Sequence, residues 1–408
     1  MFQKPRGWGG LVLVLPCALI LSTCDGDDDL LGPEFDRPVD PQLVAEGRQV
    51  FRFDTFGDEV FWTDTLRMHE VIQGSVSPNT ALQVGLKVDV DALPQAVRDA
   101  IGAGQVDLNS PATTVTLLKL NAVVGVIGTV EAVAGRDTLS RAGITCALCH
   151  STVDDSFAPG IGRRLDDWPN RDLDVGAIVA LSPALTAAQK AVYGSWGKGM
   201  YDPRFNIDGR NQPVVLPPAF GLRTVRNELY TGDDTLSYWN NYVAVTQMHG
   251  QGSFVDPRLG IDLVRSPDLV QSKLPALRDY QHSLETPAAI AGTFDAVAAE
   301  RGRAVFTGAG RCSTCHLPER AYSDINSGRL HDASETGMEP QYATRSVTKR
   351  YRTTPLRGLW RPPQLQGPYF HDGSAATLEA VVDHYVGALG LNLSQQQRTD
   401  LVEFLKTL

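Results

Sequence analysis

Two pentapeptides carry the most specific chemistry in this 408-residue chain: Cys146-Ala147-Leu148-Cys149-His150 and Cys312-Ser313-Thr314-Cys315-His316. Two thiols three positions apart with a trailing imidazole match the attachment pattern of c-type haem, in which both sulfurs become thioethers and the histidine ligates iron. A structural zinc site asks for four ligands in tetrahedral array. The two pairs are far apart, however, and no Cys or His lies between His150 and His249 to complete the first. A thioredoxin-like redox pair needs a βαβ setting and has no use for the histidine. The second copy argues against coincidence. Two covalent haems are therefore expected, one on Cys146 and Cys149 with His150 on iron, the other on Cys312 and Cys315 with His316.

Helices must carry these motifs. Asp40-Pro41 suits a helix start, Asp as cap and Pro in the first turn. Gly47, Arg48, Val50 and Phe51 are echoed at the same spacing by Gly302, Arg303, Val305 and Phe306, so both halves are expected to open with a helix of the cytochrome c type. Cys312 follows the second copy almost at once, whereas a long insertion separates the first from Cys146. Residues 51–72 are aromatic and mixed, and the apolar run 115–126 has no period that decides between helix and strand. Helix is expected over 186–193, capped by Ser182 or Thr186. Residues 274–291 look like a connection, with Thr286-Pro287 breaking a preceding helix. Ser394 with Gln397 forms a capping box for a last helix whose apolar face is Leu401, Val402, Leu405 and Leu408. The fold class expected is mainly α: two cytochrome c-like haem domains, 41–285 enlarged by the insertion and 286–408.

The formal charge is −10. Such a surface repels nucleic acid and suits a basic electron-transfer partner. Four of the six cysteines lie in the two motifs, and the other two, Cys17 and Cys24, lie in the leader. Lys4 and Arg6 precede the apolar run 11–21, the pattern of a signal peptide over 1–24. Leu21-Ser22-Thr23-Cys24 is similar to a lipobox, which would lipidate Cys24 and tether the protein in the periplasm. Residues 25–40 would then be an acidic linker.

The sixth iron ligand decides between electron transfer and reaction with peroxide. At the first haem His69 and Met200 are candidates; a lone His in such a stretch is more often a packed, hydrogen-bonded residue, and a Met in a Gly-rich loop is as easily a gap filler. The stretch 238–250, with Trp239, Gln247, Met248 and His249, reads as a buried helix edge or as the distal wall of that haem. In the second half Thr377 can cap a helix in which Leu378, Val381, Val382 and Tyr385 form one stripe. Tyr385 then points inward and His384 is turned about 100° away. Met338 is the fallback ligand.

Thr354-Pro355-Leu356-Arg357, Gly367-Pro368-Tyr369-Phe370-His371-Asp372-Gly373-Ser374 and Thr377-Leu378-Glu379 resemble the C-terminal half of bacterial dihaem cytochrome c peroxidases and the related MauG-like enzymes. The resemblance is specific over about 288–408, looser over 222–252 and poor before His150. It implies peroxide chemistry at the N-terminal haem and electron storage or delivery at the C-terminal one. Tyr385 stands where the peroxidases have a Met ligand and MauG-like enzymes a Tyr. Trp239 would couple the haems, and Gln247 and His249 would form the distal pocket. The first haem is read as five-coordinate. His371 and Asp372 would hold the surroundings of the second haem. The resemblance further implies a small c-type cytochrome or cupredoxin as electron donor, hydrogen peroxide as substrate, and calcium near Thr353 and Pro355. The alternatives are a dihaem electron carrier without enzymatic activity, and a MauG-like oxidase of a partner protein.

Overall fold

A computed structural model describes residues 37–360 and 367–408. The leader, with Cys17 and Cys24, and the acidic linker up to residue 36 lie outside the described residues. The helix Pro41–Phe53 begins as its sequence dictates, the Asp40 side chain accepting the amide of Gln42. Gly47, Val50 and Phe51 form its buried face. That face meets the helix Leu274–Ser283 so closely that a Cβ on Gly47 would fall 1.9 Å from the Ala276 carbonyl oxygen. Phe51 packs on Tyr280 with ring centroids 5.5 Å apart.

The second half repeats this arrangement. Ala296–Thr307 crosses Gln395–Leu405, where a Cβ on Gly302 would fall 1.9 Å from the Asp400 carbonyl oxygen. Phe306 packs on Phe404 at 5.2 Å. The expected Ser394–Gln397 capping box is present. The helix expected before Thr286-Pro287 is Leu274–Ser283, and it is the closing helix of the first half rather than part of a connection. Pro275 fits its first turn, and the chain leaves helical geometry at Leu284.

Helix prevails, but the first half is mixed rather than mainly α. Among the described residues ten short strands form five two-stranded sheets, all between Val88 and Leu263. The insertion, 54–145, builds a core around Trp62, Leu66, Val115 and Leu118 that it shares with Leu148, Ile161, Leu173 and Val175. It starts with a π-helix, Val60–Thr65, and ends in a hairpin, Val126–Val133 against Arg136–Ile144. The undecided run 115–126 divides between the helix Pro111–Lys119 and this hairpin's first strand. The turn Ala134-Gly135 has φ of 49° and 77°, the left-handed pair a two-residue hairpin requires. Thr186, not Ser182, caps the helix Ala187–Tyr193; Ser182 donates to the Leu66 carbonyl.

Two buried arginines join the halves. Arg345 donates to Asp202 at 2.9 Å and to Asp208 at 2.7 Å. Arg204 donates to the Arg345 carbonyl and to Asp233, both at 2.6 Å. Near the insertion's start, the side chain of buried Asp58 receives only the Ile144 amide among the described residues, at 3.2 and 3.3 Å. Burial, with Glu59 and Asp54 nearby, pushes its carboxyl up to about 9, so it stays protonated at neutral pH.

Gly47→Ala and Gly302→Ala are expected to lower unfolding stability by about 2 kcal/mol or more, because backbone cannot yield as a side chain can. Thermal or denaturant unfolding measures this. For Asp58 the folded pKa lies above the unfolded one, so its unfavourable contribution grows as pH rises from about 4 toward 9. Asp58→Asn is expected to gain stability over wild type by up to about 1.4 kcal/mol per pH unit between pH 5 and 7. Denaturant titrations at several pH values test the slope.

Candidate haem sites

The first motif begins at the edge of the insertion's hairpin and forms a single helical turn, Ala147–His150. The strand Ser151–Val153 follows, paired with Arg164–Asp166. Asp166 fixes this corner. It accepts Ser151 Oγ at 2.7 Å, Arg52 Nε of the opening helix at 2.6 Å, and the Tyr280 hydroxyl of the closing helix. The motif is thus tied to both members of the crossing pair.

Cys146, Cys149 and His150 line a cavity of about 630 Å³, within the range of cofactor sites. Trp239, Val243, Gln247, Met248 and His249 line it too, and the insertion contributes Phe61, Trp62, Leu66 and Met68. Tyr342 and Arg352 reach it from the second half. His69 and Met200 are not among its lining residues.

The two polar distal candidates differ in what they have free. Gln247 Oε1 accepts the Tyr201 hydroxyl at 2.7 Å, and Nε2 donates to Asn206 Oδ1 at 3.0 Å and Thr246 Oγ1 at 2.8 Å. Both ends of its amide are committed. His249 stacks face to face on Phe61, with centroids 3.7 Å apart and planes 19° apart. No hydrogen bond to its ring occurs among the described residues. Burial and then the charge of Arg265 push its imidazole down to about 4, so it is neutral at pH 7. Trp239 is buried with its Nε1 unpaired, and the Arg204 guanidinium lies 5.6 Å over its ring and 6.0 Å from that of Tyr342. It therefore stands beside the contact between the halves.

At the second motif His316 Nδ1 meets the Tyr322 carbonyl at 2.9 Å, an orientation that leaves Nε2 for a metal. Tyr385 faces this motif. Its hydroxyl is pushed up to about 12, first by burial and then by the nearby sulfurs of Cys312 and Cys315. Thioether formation would remove the part due to the sulfurs. Its helix, Leu378–Ala388, is capped by Thr377 as expected, and His384 turns away to the Thr336 carbonyl at 2.8 Å. Met338 packs in another cluster, with Tyr342 and Tyr351. His371 also lies among aromatic rings, 4.7 Å from Tyr351 and 5.7 Å from Tyr342. Asp372 accepts the Ser374 amide and hydroxyl in a local turn. Thr353 is taken up by neighbours: its carbonyl accepts Ser323 Oγ, and its hydroxyl meets His331 Nε2 at 3.1 Å.

These surroundings fit haem better than zinc. Burial raises the Cys146 and Cys149 thiols to about 12, which disfavours the thiolates zinc requires but suits thioethers in an apolar pocket. His150 Nδ1 is buried without a hydrogen bond of ordinary geometry, and burial holds the ring neutral, down to about 4. Among the described residues one group of His, Cys and acidic side chains has metal-like spacing, Cys315, Asp324 and His331. His331 is already bracketed by Asp324 and Glu335, each at 3.1 Å.

One residue escaped the sequence reading. Thr235 caps Leu236–Tyr242 as Thr377 caps Leu378–Ala388. Eight positions beyond the cap stand Val243 in the first half and Tyr385 in the second. Val243 lines the first cavity and has no atom that can ligate iron. The signal was present: a glycine, Gly232 or Gly373, precedes each Thr-Leu step by a few residues.

No family model matches the chain. Methylamine utilization protein MauG of Methylorubrum extorquens is 34% identical over 125 residues, a match covering 27% of this chain and 34% of MauG. The chain thus spans about a third of the length of that relative. A hydrazine synthase structure from Kuenenia stuttgartiensis, pressurized with xenon, aligns at 21% identity and a TM-score of 0.35, over 48% of this chain and 73% of that one. Likeness of that degree carries no argument. What the comparisons add is a local similarity to MauG, in a chain whose two Cys-x-x-Cys-His motifs sit in surroundings that suit haem.

Proposed function

We propose that the protein is a periplasmic dihaem c-type oxidoreductase that reduces hydrogen peroxide at the His150 site, with electrons delivered through the His316 site. The observation that carries this is His249, a neutral imidazole free of hydrogen bonds in the wall of the cavity that holds Cys146, Cys149 and His150. Haem bound there would supply the iron redox chemistry that passes two electrons to peroxide. His150 would hold the iron, and Val243, which lines the same cavity, offers no side-chain atom that could ligate it. A ring nitrogen of His249 accepts the proton of incoming peroxide and returns it to the departing oxygen. Gln247 is a fixed polar wall, and the apolar lining excludes water so that these dipoles act at low dielectric. Tyr385 would be the second ligand at the His316 site, and Trp239 couples the two sites.

The donor is a small, basic c-type cytochrome or cupredoxin, and a lipid on Cys24 would keep the protein at the membrane. A second reading, MauG-like oxidation of a partner protein, is favoured by Tyr385 facing Cys312 and Cys315 and by the local MauG match. A simple electron carrier would need Met248, which lines the cavity, as a ligand.

Low-temperature electron paramagnetic resonance of the ferric protein is expected to show one high-spin and one low-spin haem, with Tyr385→Phe changing only the low-spin signal. Two low-spin haems untouched by that substitution would refute both the open site and the tyrosine ligand. His249→Ala is expected to slow the reaction with peroxide by about 10²-fold or more. Because His249 must be neutral, the wild-type rate should hold from pH 7 to 5 and fall as pH approaches about 4.

A further inference from the structure

We infer that Phe61, carried by the insertion, is a positioning residue for His249, so that residues 54–145 serve as the distal wall of the first site. This rests on His249 being the proton carrier proposed above.

Four successive residues around His249 are fastened to one short stretch of the insertion. The Met248 carbonyl accepts Trp62 Nε1 at 3.2 Å. The His249 ring lies on Phe61. Gly250 presses on Phe56, where an added Cβ would come within 2.8 Å of the Phe56 Cβ. The Gln251 amide donates to the Phe56 carbonyl at 2.7 Å. His249 itself has φ of 65°, in the left-handed region that is uncommon for non-glycine residues. Both contacting segments include π-helices, Val60–Thr65 and Val243–Gln247, a form frequent at functional sites.

The manner of contact matters as much as its closeness. A hydrogen bond would orient the imidazole by its edge and occupy a nitrogen. Stacking holds the face, fixes the plane, and leaves both nitrogens free in that plane. Gln247, a few residues earlier, is held by its edges and has neither end of its amide free. Phe61 therefore does what a base requires of its support. As mere core filler, it would be replaceable by any apolar side chain of similar volume.

The test is cyanide association with the full-length ferric holoprotein, followed by stopped-flow absorbance at pH 7. Cyanide arrives there as neutral hydrogen cyanide and must give its proton to a base as it binds, so the rate reports that base without turnover. Phe61→Leu, which keeps bulk but removes the ring face, is expected to slow association by about tenfold to a hundredfold. Phe61→Tyr should restore it. In the His249→Ala background Phe61→Leu should add no further slowing. An unchanged rate in Phe61→Leu, or the same slowing with and without His249, would overturn the inference. Should Phe61→Leu fail to take up haem, Phe61→Met carries the same expectation. Failure of the wild-type protein to bind cyanide at all would instead remove the open site, and the proposed function with it.

Discussion

At Gly47 and again at Gly302, one helix lays its backbone against a carbonyl of its partner, a contact with room for a hydrogen and nothing larger. Such an approach fixes both the separation and the crossing of the two helices, because no intervening side chain can change rotamer to relax it. Phe51 with Tyr280, and Phe306 with Phe404, extend each contact into the core. Everything that positions chemistry hangs from these crossings. Asp166 ties the first motif to both helices of its pair, and Cys312 follows within a few residues of the helix that carries Gly302. A long excursion such as residues 54–145 can be accommodated because its ends return to a frame that is already closed.

The same frame supports two unlike sites. A capped helix leads to each site, and eight residues from the cap one half presents a valine and the other a tyrosine. His316 is held by a backbone carbonyl through Nδ1, whereas His150 has no hydrogen bond of ordinary geometry there. The first motif lies in a large apolar cavity with an uncommitted imidazole in its wall. The second faces a phenol. Differences at a handful of positions, on otherwise repeated helices, are enough to give the two motifs different chemical prospects.

Much of this was legible in the sequence because it is local. The motifs, the Asp40, Thr377 and Ser394 caps, and the echo of Gly47 to Phe51 in Gly302 to Phe306 each depend on residues within a turn or two of one another. The inward stripe ending at Tyr385 was readable for the same reason, and His384 does turn to a carbonyl elsewhere. What escaped depends on distant partners. Residues 274–291 looked like a connection because the role of the helix 274–283 comes from packing on Gly47, more than two hundred residues earlier. The insertion was opaque because its core is assembled from short pieces, none periodic enough to declare itself. Gln247 and His249 were equals in the sequence. Only the bonds to Tyr201, Asn206 and Thr246 separate them, and those residues give no sign of it by position.

The arginine clamp between the halves bears on how the molecule responds to ionic strength. Arg345 and its partner Asp202 are fully enclosed, with side-chain exposure of 0% for each. Dissolved ions cannot enter to screen such a pair, whereas charges on the surface lose sight of one another beyond about 8 Å in physiological salt. Added salt should therefore weaken the interactions of the charges exposed on the surface while leaving the Arg345–Asp202 contact between the halves in place. The spacing of the two motifs is thus set by buried geometry, and the reach of the surface charge by the surrounding medium.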